Sequence, residues 1–223
     1  MTEENEVFTP KAETVKSPFI VMQDFISVKQ CEDIISKIGN IETKHDHEGR
    51  PIKTEYRNED AVVQHLYPAI TNLIGKLEDY YQGFESNGKV DYLLQDYPEG
   101  TVGHAEDPFC VNSKHLRRKW VKVSDVELTA VLWLKDHNDE PPLDVRSEVY
   151  GGKLEFPAYD FSLMPQRGTL IIFPAGPHFI QAVSPVMVGN CTQIRINLKA
   201  DKPFLYQPSK YRGTWLQWFE AYY

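Results

Sequence analysis

Apolar and polar positions follow two rhythms along this chain, and the change between them divides it. Residues 1–17 are polar without a period and read as an extended arm. Phe19-Ile-Val-Met-Gln-Asp-Phe25 is strand-like. A helix is predicted next. Ser27 and Gln30 form a capping box, in which hydroxyl and amide satisfy each other's backbone donors. Cys31, Ile34, Ile35 and Ile38 then share one helical face. Residues 42–59 are charged and read as a polar loop. A second helix is predicted from near Tyr67-Pro68, with the proline in its first turn, along the stripe Ile70, Leu73, Ile74, Leu77 and Tyr81. Gly83 is expected to end it. Both helices should support one face of a sheet.

From residue 91 the period shortens to two. Residues 92–95, 128–134, 153–156, 169–173 and 193–198 are the clearest strands. Many strands, Gly/Pro turns and few intervening helices indicate a sandwich or jelly roll. Residues 136–149 are acidic, hold two prolines and read as a long surface loop. Three segments result: an arm over 1–17, a domain over 18–202, and a tail over 203–223. The last ten residues include five aromatics, Trp215, Trp218, Phe219, Tyr222 and Tyr223. Such residues either fold back on their own core or anchor a protein partner.

Composition narrows the function classes. The 223 residues are 41% hydrophobic and 25% charged, which is ordinary for a globular chain. A net charge of -8 argues against nucleic acid, and the basic cluster Lys114-His-Leu-Arg-Arg-Lys119 reads as a solvated loop. No apolar run approaches the roughly 18 residues of a membrane span. The acidic N-terminus has no signal-peptide pattern. These features suggest a cytoplasmic protein. Cys31, Cys110 and Cys191 are odd in number, lack metal-site spacing and read as small buried hydrophobes. His45-Asp46-His47 has the residue types of a metal site, but beside Gly49 and Pro51 it reads as a solvated loop.

The C-terminal half carries the most specific signal. Tyr150-Gly-Gly-Lys-Leu-Glu-Phe-Pro157 is followed by Pro165-Gln-Arg-Gly-Thr-Leu-Ile-Ile-Phe-Pro174, then by Ala182-Val-Ser-Pro-Val186. This succession resembles the 2-oxoglutarate/Fe(II) dioxygenases of the prolyl-hydroxylase type, as phages and marine microbes also carry them. The resemblance spans roughly residues 18–200. It implies a mainly β fold with N-terminal helices, a double-stranded β-helix or jelly roll. It also implies Fe(II) on two His and one carboxylate, with 2-oxoglutarate at the open positions.

The ligand positions depart from that pattern. Tyr97-Pro-Glu-Gly100 introduces Thr101-Val-Gly-His104-Ala-Glu106-Asp107, where the family has His-x-Asp. His104 and Glu106 keep a spacing of two, which points both to one side of an extended segment. Aligning Asp107 instead puts Ala105 at the iron His. The distal His is replaced by Gln181, a neutral and weak ligand. His178, three residues earlier, would serve only if a turn after Gly176-Pro177 re-aimed it. The basic residue that holds 2-oxoglutarate falls at Cys191, whereas Arg195 shares its strand face with Gln193 and Asn197.

Two readings of function compete. In the first, the chain is a non-catalytic descendant with a structural or binding role, in a larger assembly such as a virion, and needs no cofactor. In the second it is a hydroxylase of a peptidyl or small-molecule carbon. His104, Glu106 or Asp107, and His178 would then hold Fe(II), with Arg195 and Tyr97 placing 2-oxoglutarate. A sugar- or peptide-binding jelly roll using Tyr97, Trp133 and Tyr150 is a third class.

Overall fold

The computed structural model describes residues 17–39, 41–57, 59–101, 110–113 and 119–204. In chain order its strands are β1 (Ile20–Met22), β2 (Lys44–His45), β3 (Pro51–Ile52), β4 (Thr54–Arg57), β5 (Ser86–Tyr97), β6 (Cys110–Ser113), β7 (Lys119–Lys122) and β8 (Val126–Trp133). They continue as β9 (Asp136–Asn138), β10 (Glu148–Gly151), β11 (Leu154–Phe156), β12 (Phe161–Leu163), β13 (Leu170–Pro174), β14 (Ala182–Val183), β15 (Val186–Val188) and β16 (Cys191–Ala200). Helices α1 (Val28–Ile38) and α2 (Asp60–Tyr80) precede β5. Among the described residues no helix is long and apolar enough to cross a membrane.

A six-stranded sheet in the order β1-β13-β8-β16-β5-β4 faces two three-stranded sheets, β15-β10-β9 and β12-β11-β14. This is the jelly roll expected from the strand pattern. Strand parity sorts the residues of the large sheet. Leu94, Leu132, Ile172, Ile194 and Ile196 point outward and are covered by α1 and α2 through Ile34, Leu66, Ile70 and Leu77. Tyr97, Val131, Trp133, Ile171, Phe173 and Cys191 point inward and meet Leu154, Phe156 and Val183 of the small sheets. Aromatic rings fill part of this interior: Phe19 lies 4.7 Å from Phe156 and 4.9 Å from Phe161, centroid to centroid.

α1 forms as its sequence dictates. The Ser27 hydroxyl accepts from Gln30 N at 3.3 Å, and Gln30 Oε1 accepts from Ser27 N at 2.9 Å. α2 differs from the expectation. It starts at Asp60, so Pro68 is inside the helix rather than in its first turn. An interior proline costs about 3 kcal/mol. Val62 and Leu66, both fully buried, extend the apolar stripe upstream of it, and their burial, about 1.5–3 kcal/mol each, outweighs that cost. The helix stops at Tyr80, and the Tyr81 hydroxyl donates to Pro18 O at 2.7 Å, tying its end to the start of β1.

Two segments read as loops contain strands. Residues 44–57 form the β2–β3 hairpin and edge strand β4. Asp46 organises the hairpin by accepting from Glu48 N, Arg50 N and Arg50 Nε at 2.8–2.9 Å. In 136–149 the short strand β9 pairs parallel with β10 and buries His137.

Two motif glycines are required by close backbone approach. A Cβ on Gly151, at φ +84°, would lie 2.2 Å from Pro185 O; one on Gly168, at φ +79°, would lie 2.3 Å from Ile26 O. Both positions also demand the left-handed region that glycine adopts freely.

Candidate functional site

A cavity of about 330 Å³ opens between the large sheet and the small ones. That is the lower end of the size range of ligand pockets. Strand β16 supplies its polar wall. Gln193 stands opposite Gln95 of β5 and Trp133 of β8, and Arg195 opposite Leu93 and Val131. Both inward side chains line the cavity, and they are 1% and 2% exposed. Gln181, just before β14, lines it from the other side with Leu154 and Val183. The β2–β3 hairpin closes one flank through Asp46, Arg50, Pro51 and Ile52, followed by Lys53. Gly100 sits under the hairpin, where a Cβ would be 3.3 Å from Pro51 Cγ.

The wall is richer in cations than in anions. Arg195 is buried and Lys53 half-buried, with its ammonium 5.9 Å from the centroid of the Tyr97 ring. Arg50 also lines the cavity, but it pairs with Asp46 at 2.9 Å and with Glu48 at 3.1 Å. Asp46, already holding three donors, is kept below the usual carboxylate range chiefly by the Arg50 backbone N–H. Such a wall suits an anionic group with apolar flanks.

A chain of amides orients Gln193. Gln193 Nε2 donates to Gln95 Oε1 at 3.0 Å, and Gln95 Nε2 donates to Glu55 Oε2 at 2.8 Å. The Cys191 thiol lies 4.0 Å from Gln193 Oε1. Gln181 differs: among the described residues its buried Oε1 has no hydrogen-bond partner. A buried acceptor left in that state costs about 1–3 kcal/mol.

Several candidate residues come together and others do not. Tyr97, Gln181 and Arg195 line one cavity. Arg195, on the strand face of Gln193, reaches the wall. Cys191 is fully buried but outside it, and burial pushes its thiol strongly upward. His178 lies in a single 3-10 turn, Pro177–Phe179, that follows Gly176. It is half-buried, is not part of the cavity wall, and burial lowers its pKa to about 4. Trp133 is core and Tyr150 is half-buried; neither lines the cavity. His104, Glu106 and Asp107 lie outside the described residues, as do Trp215, Trp218, Phe219, Tyr222 and Tyr223. Lys53, Thr101, Gln95 and Glu55 were not singled out from sequence. The period-two run Thr54-Glu-Tyr-Arg57 and the shared parity of Gln95 and Tyr97 were the available signals.

The resemblance implies an Fe(II) site at this cavity, and its candidate ligands His104, Glu106 and Asp107 lie outside the described residues. Such iron takes two imidazoles and a carboxylate on one face. Among the described residues no group of three or more His, Cys, Asp or Glu could hold a metal. At the cavity, Gln181 presents an uncharged amide in place of an imidazole.

No family model and no curated protein matches the sequence. Solved structures do match the fold. The viral collagen prolyl hydroxylase of Paramecium bursaria Chlorella virus-1, in its 2-oxoglutarate complex, is 16% identical over 83% of this chain and 97% of its own, with a TM-score of 0.57. A prolyl 4-hydroxylase of Pseudomonas putida is 16% identical over 83% of this chain and 94% of its own, at 0.56. A Trichoplax adhaerens prolyl hydroxylase bound to a hypoxia-inducible-factor peptide is 12% identical over 82% and 83%, at 0.54. Helix-backed large sheet, small sheets and cavity between them together make this the double-stranded β-helix fold of the prolyl-hydroxylase-type 2-oxoglutarate oxygenases.

Proposed function

We propose that this chain uses the oxygenase fold to bind a small carboxylate without iron chemistry, and serves as a binding or structural component. The observation that carries the reading is Gln181. It is 4% exposed, lines the same cavity as buried Arg195, and holds an amide oxygen without a partner among the described residues, where the resemblance places an iron-binding His. An amide oxygen is a neutral and weak metal ligand beside imidazole. Arg195 carries the planar guanidinium whose geometry matches a carboxylate, and Lys53 is a second cation in the wall. The chain's own groups thus retain an anion site. Leu154, Val183 and Ile52 supply its apolar sides.

The role in an assembly rests on the C-terminal aromatics Trp215, Trp218, Phe219, Tyr222 and Tyr223, residue types that anchor protein interfaces. A virion component is one such assembly, and a viral protein with this fold is known.

The test is turnover. Purified full-length chain is supplied with Fe(II), ascorbate and 2-oxoglutarate in air, and succinate is followed by NMR. No succinate above the protein-free control is expected. Stoichiometric or catalytic succinate release would establish the hydroxylase reading, with His104, Glu106 or Asp107, and His178 as the residues to substitute next.

A further inference from the structure

Glu55 lies on β4 at the edge of the large sheet, exposed to solvent and outside the cavity wall. It nevertheless decides how that wall is polarised. A carboxylate only accepts hydrogen bonds. The 2.8 Å contact between Gln95 Nε2 and Glu55 Oε2 therefore fixes the Gln95 amide with its nitrogen toward β4. Gln95, fully buried, must then turn its oxygen toward Gln193, whose Nε2 donates to it at 3.0 Å. The Gln193 oxygen is in turn directed at the Cys191 thiol, 4.0 Å away and outside the cavity. An amide nitrogen carries two N–H donors. One of those on Gln193 goes to Gln95, which leaves the second for the cavity that Gln193 lines.

Without a charged end, a row of amides can run in either direction, because each unit both donates and accepts. The reversed row would have Gln95 Nε2 donating to Gln193 Oε1. We propose that Glu55 is a positioning residue for the cavity. Acting through Gln95, it holds Gln193 with an N–H offered to the ligand, and so sets a preference for a carboxylate over the isosteric carboxamide. This rests on the reading of the cavity as a carboxylate site and goes beyond it by assigning selectivity to a residue that touches no ligand.

The experiment compares wild-type chain with Glu55→Gln, using glutarate and its isosteric diamide glutaramide as probes in NMR titrations. The readout is the ratio of the two dissociation constants. Charge alone predicts that losing a carboxylate near the site favours an anion. The relay predicts the opposite: the preference for glutarate falls at least fivefold, with an unchanged far-UV circular dichroism spectrum. A ratio equal to or above that of wild type overturns the assignment and leaves the carboxylate site standing. Glu55→Ala, measured alongside, removes the acceptor altogether, where glutamine keeps an amide oxygen but adds a donor, and is read in the same way. Wild-type chain that binds neither probe overturns the carboxylate site itself, and the assignment with it.

Discussion

Gln193 donates to Gln95 across the β16–β5 pair at 3.0 Å, inside a sheet whose outward face carries Leu94, Leu132, Ile194 and Ile196 into the helix-covered core. Buried amides of this kind are stable only when satisfied. Here the row ends on Glu55, at the sheet edge. The large sheet thus packs one face under the helices, and on the other it sets Gln95, Gln193 and Arg195 beside apolar Val131, Trp133 and Ile171.

Arg195 is central to the cavity. A charge-assisted hydrogen bond contributes about 1.5–3 kcal/mol, roughly ten- to a hundredfold in affinity. Arg195→Met should weaken carboxylate binding by about that factor in a calorimetric titration.

Gln181 should show the converse for stability. Its buried Oε1 has no partner among the described residues, so a side chain of similar shape without the acceptor removes a penalty. Gln181→Leu is expected to stabilise the fold by about 1 kcal/mol in urea unfolding. A loss of 1 kcal/mol or more would mean that the amide is satisfied in solution.

The motif turns were legible in the sequence because their glycines are steric necessities. Gly151→Ala forces a Cβ to 2.2 Å from a carbonyl oxygen. That variant should fail to fold or lose several kcal/mol. Gly83→Ala, at φ +94° with nothing within 4 Å, should lose only about 1–2 kcal/mol. Thermal unfolding of the two variants provides the comparison. Strand parity was equally legible: Gln193 and Arg195 share the inward face as read. Less visible were the cavity's hairpin wall and the first two turns of α2. The hairpin Lys44–Ile52 has no apolar alternation, because Asp46 holds it through local hydrogen bonds. The start of α2 was hidden by Pro68, whose preference for the first turn is overridden by buried Val62 and Leu66. Glu55 carries no sequence signal of its role, since the relay exists only once β4 and β5 pair.

His137 makes stability depend on pH. It is 1% exposed, its Nδ1 donates to Gly151 O at 3.0 Å, and burial first of all lowers its pKa from 6.5 to about 4. Between those values the unfolded chain binds a proton that the folded chain does not, so stability rises with pH across the interval. Stability is therefore fully present above about pH 6.5 and lost as pH falls toward 4, by on the order of 3 kcal/mol from this residue. His178, also lowered to about 4 by burial, acts in the same direction. Denaturant midpoints of wild type and His137→Leu, measured from pH 7 to pH 4, should show a shallower slope in the variant.

The most direct measurement is a titration of 2-oxoglutarate into chelator-treated full-length chain, repeated anaerobically with Fe(II). The account predicts saturable binding in the metal-free protein, with an unchanged dissociation constant when iron is added and loss of binding in Arg195→Met. Binding that appears only with Fe(II) would contradict it.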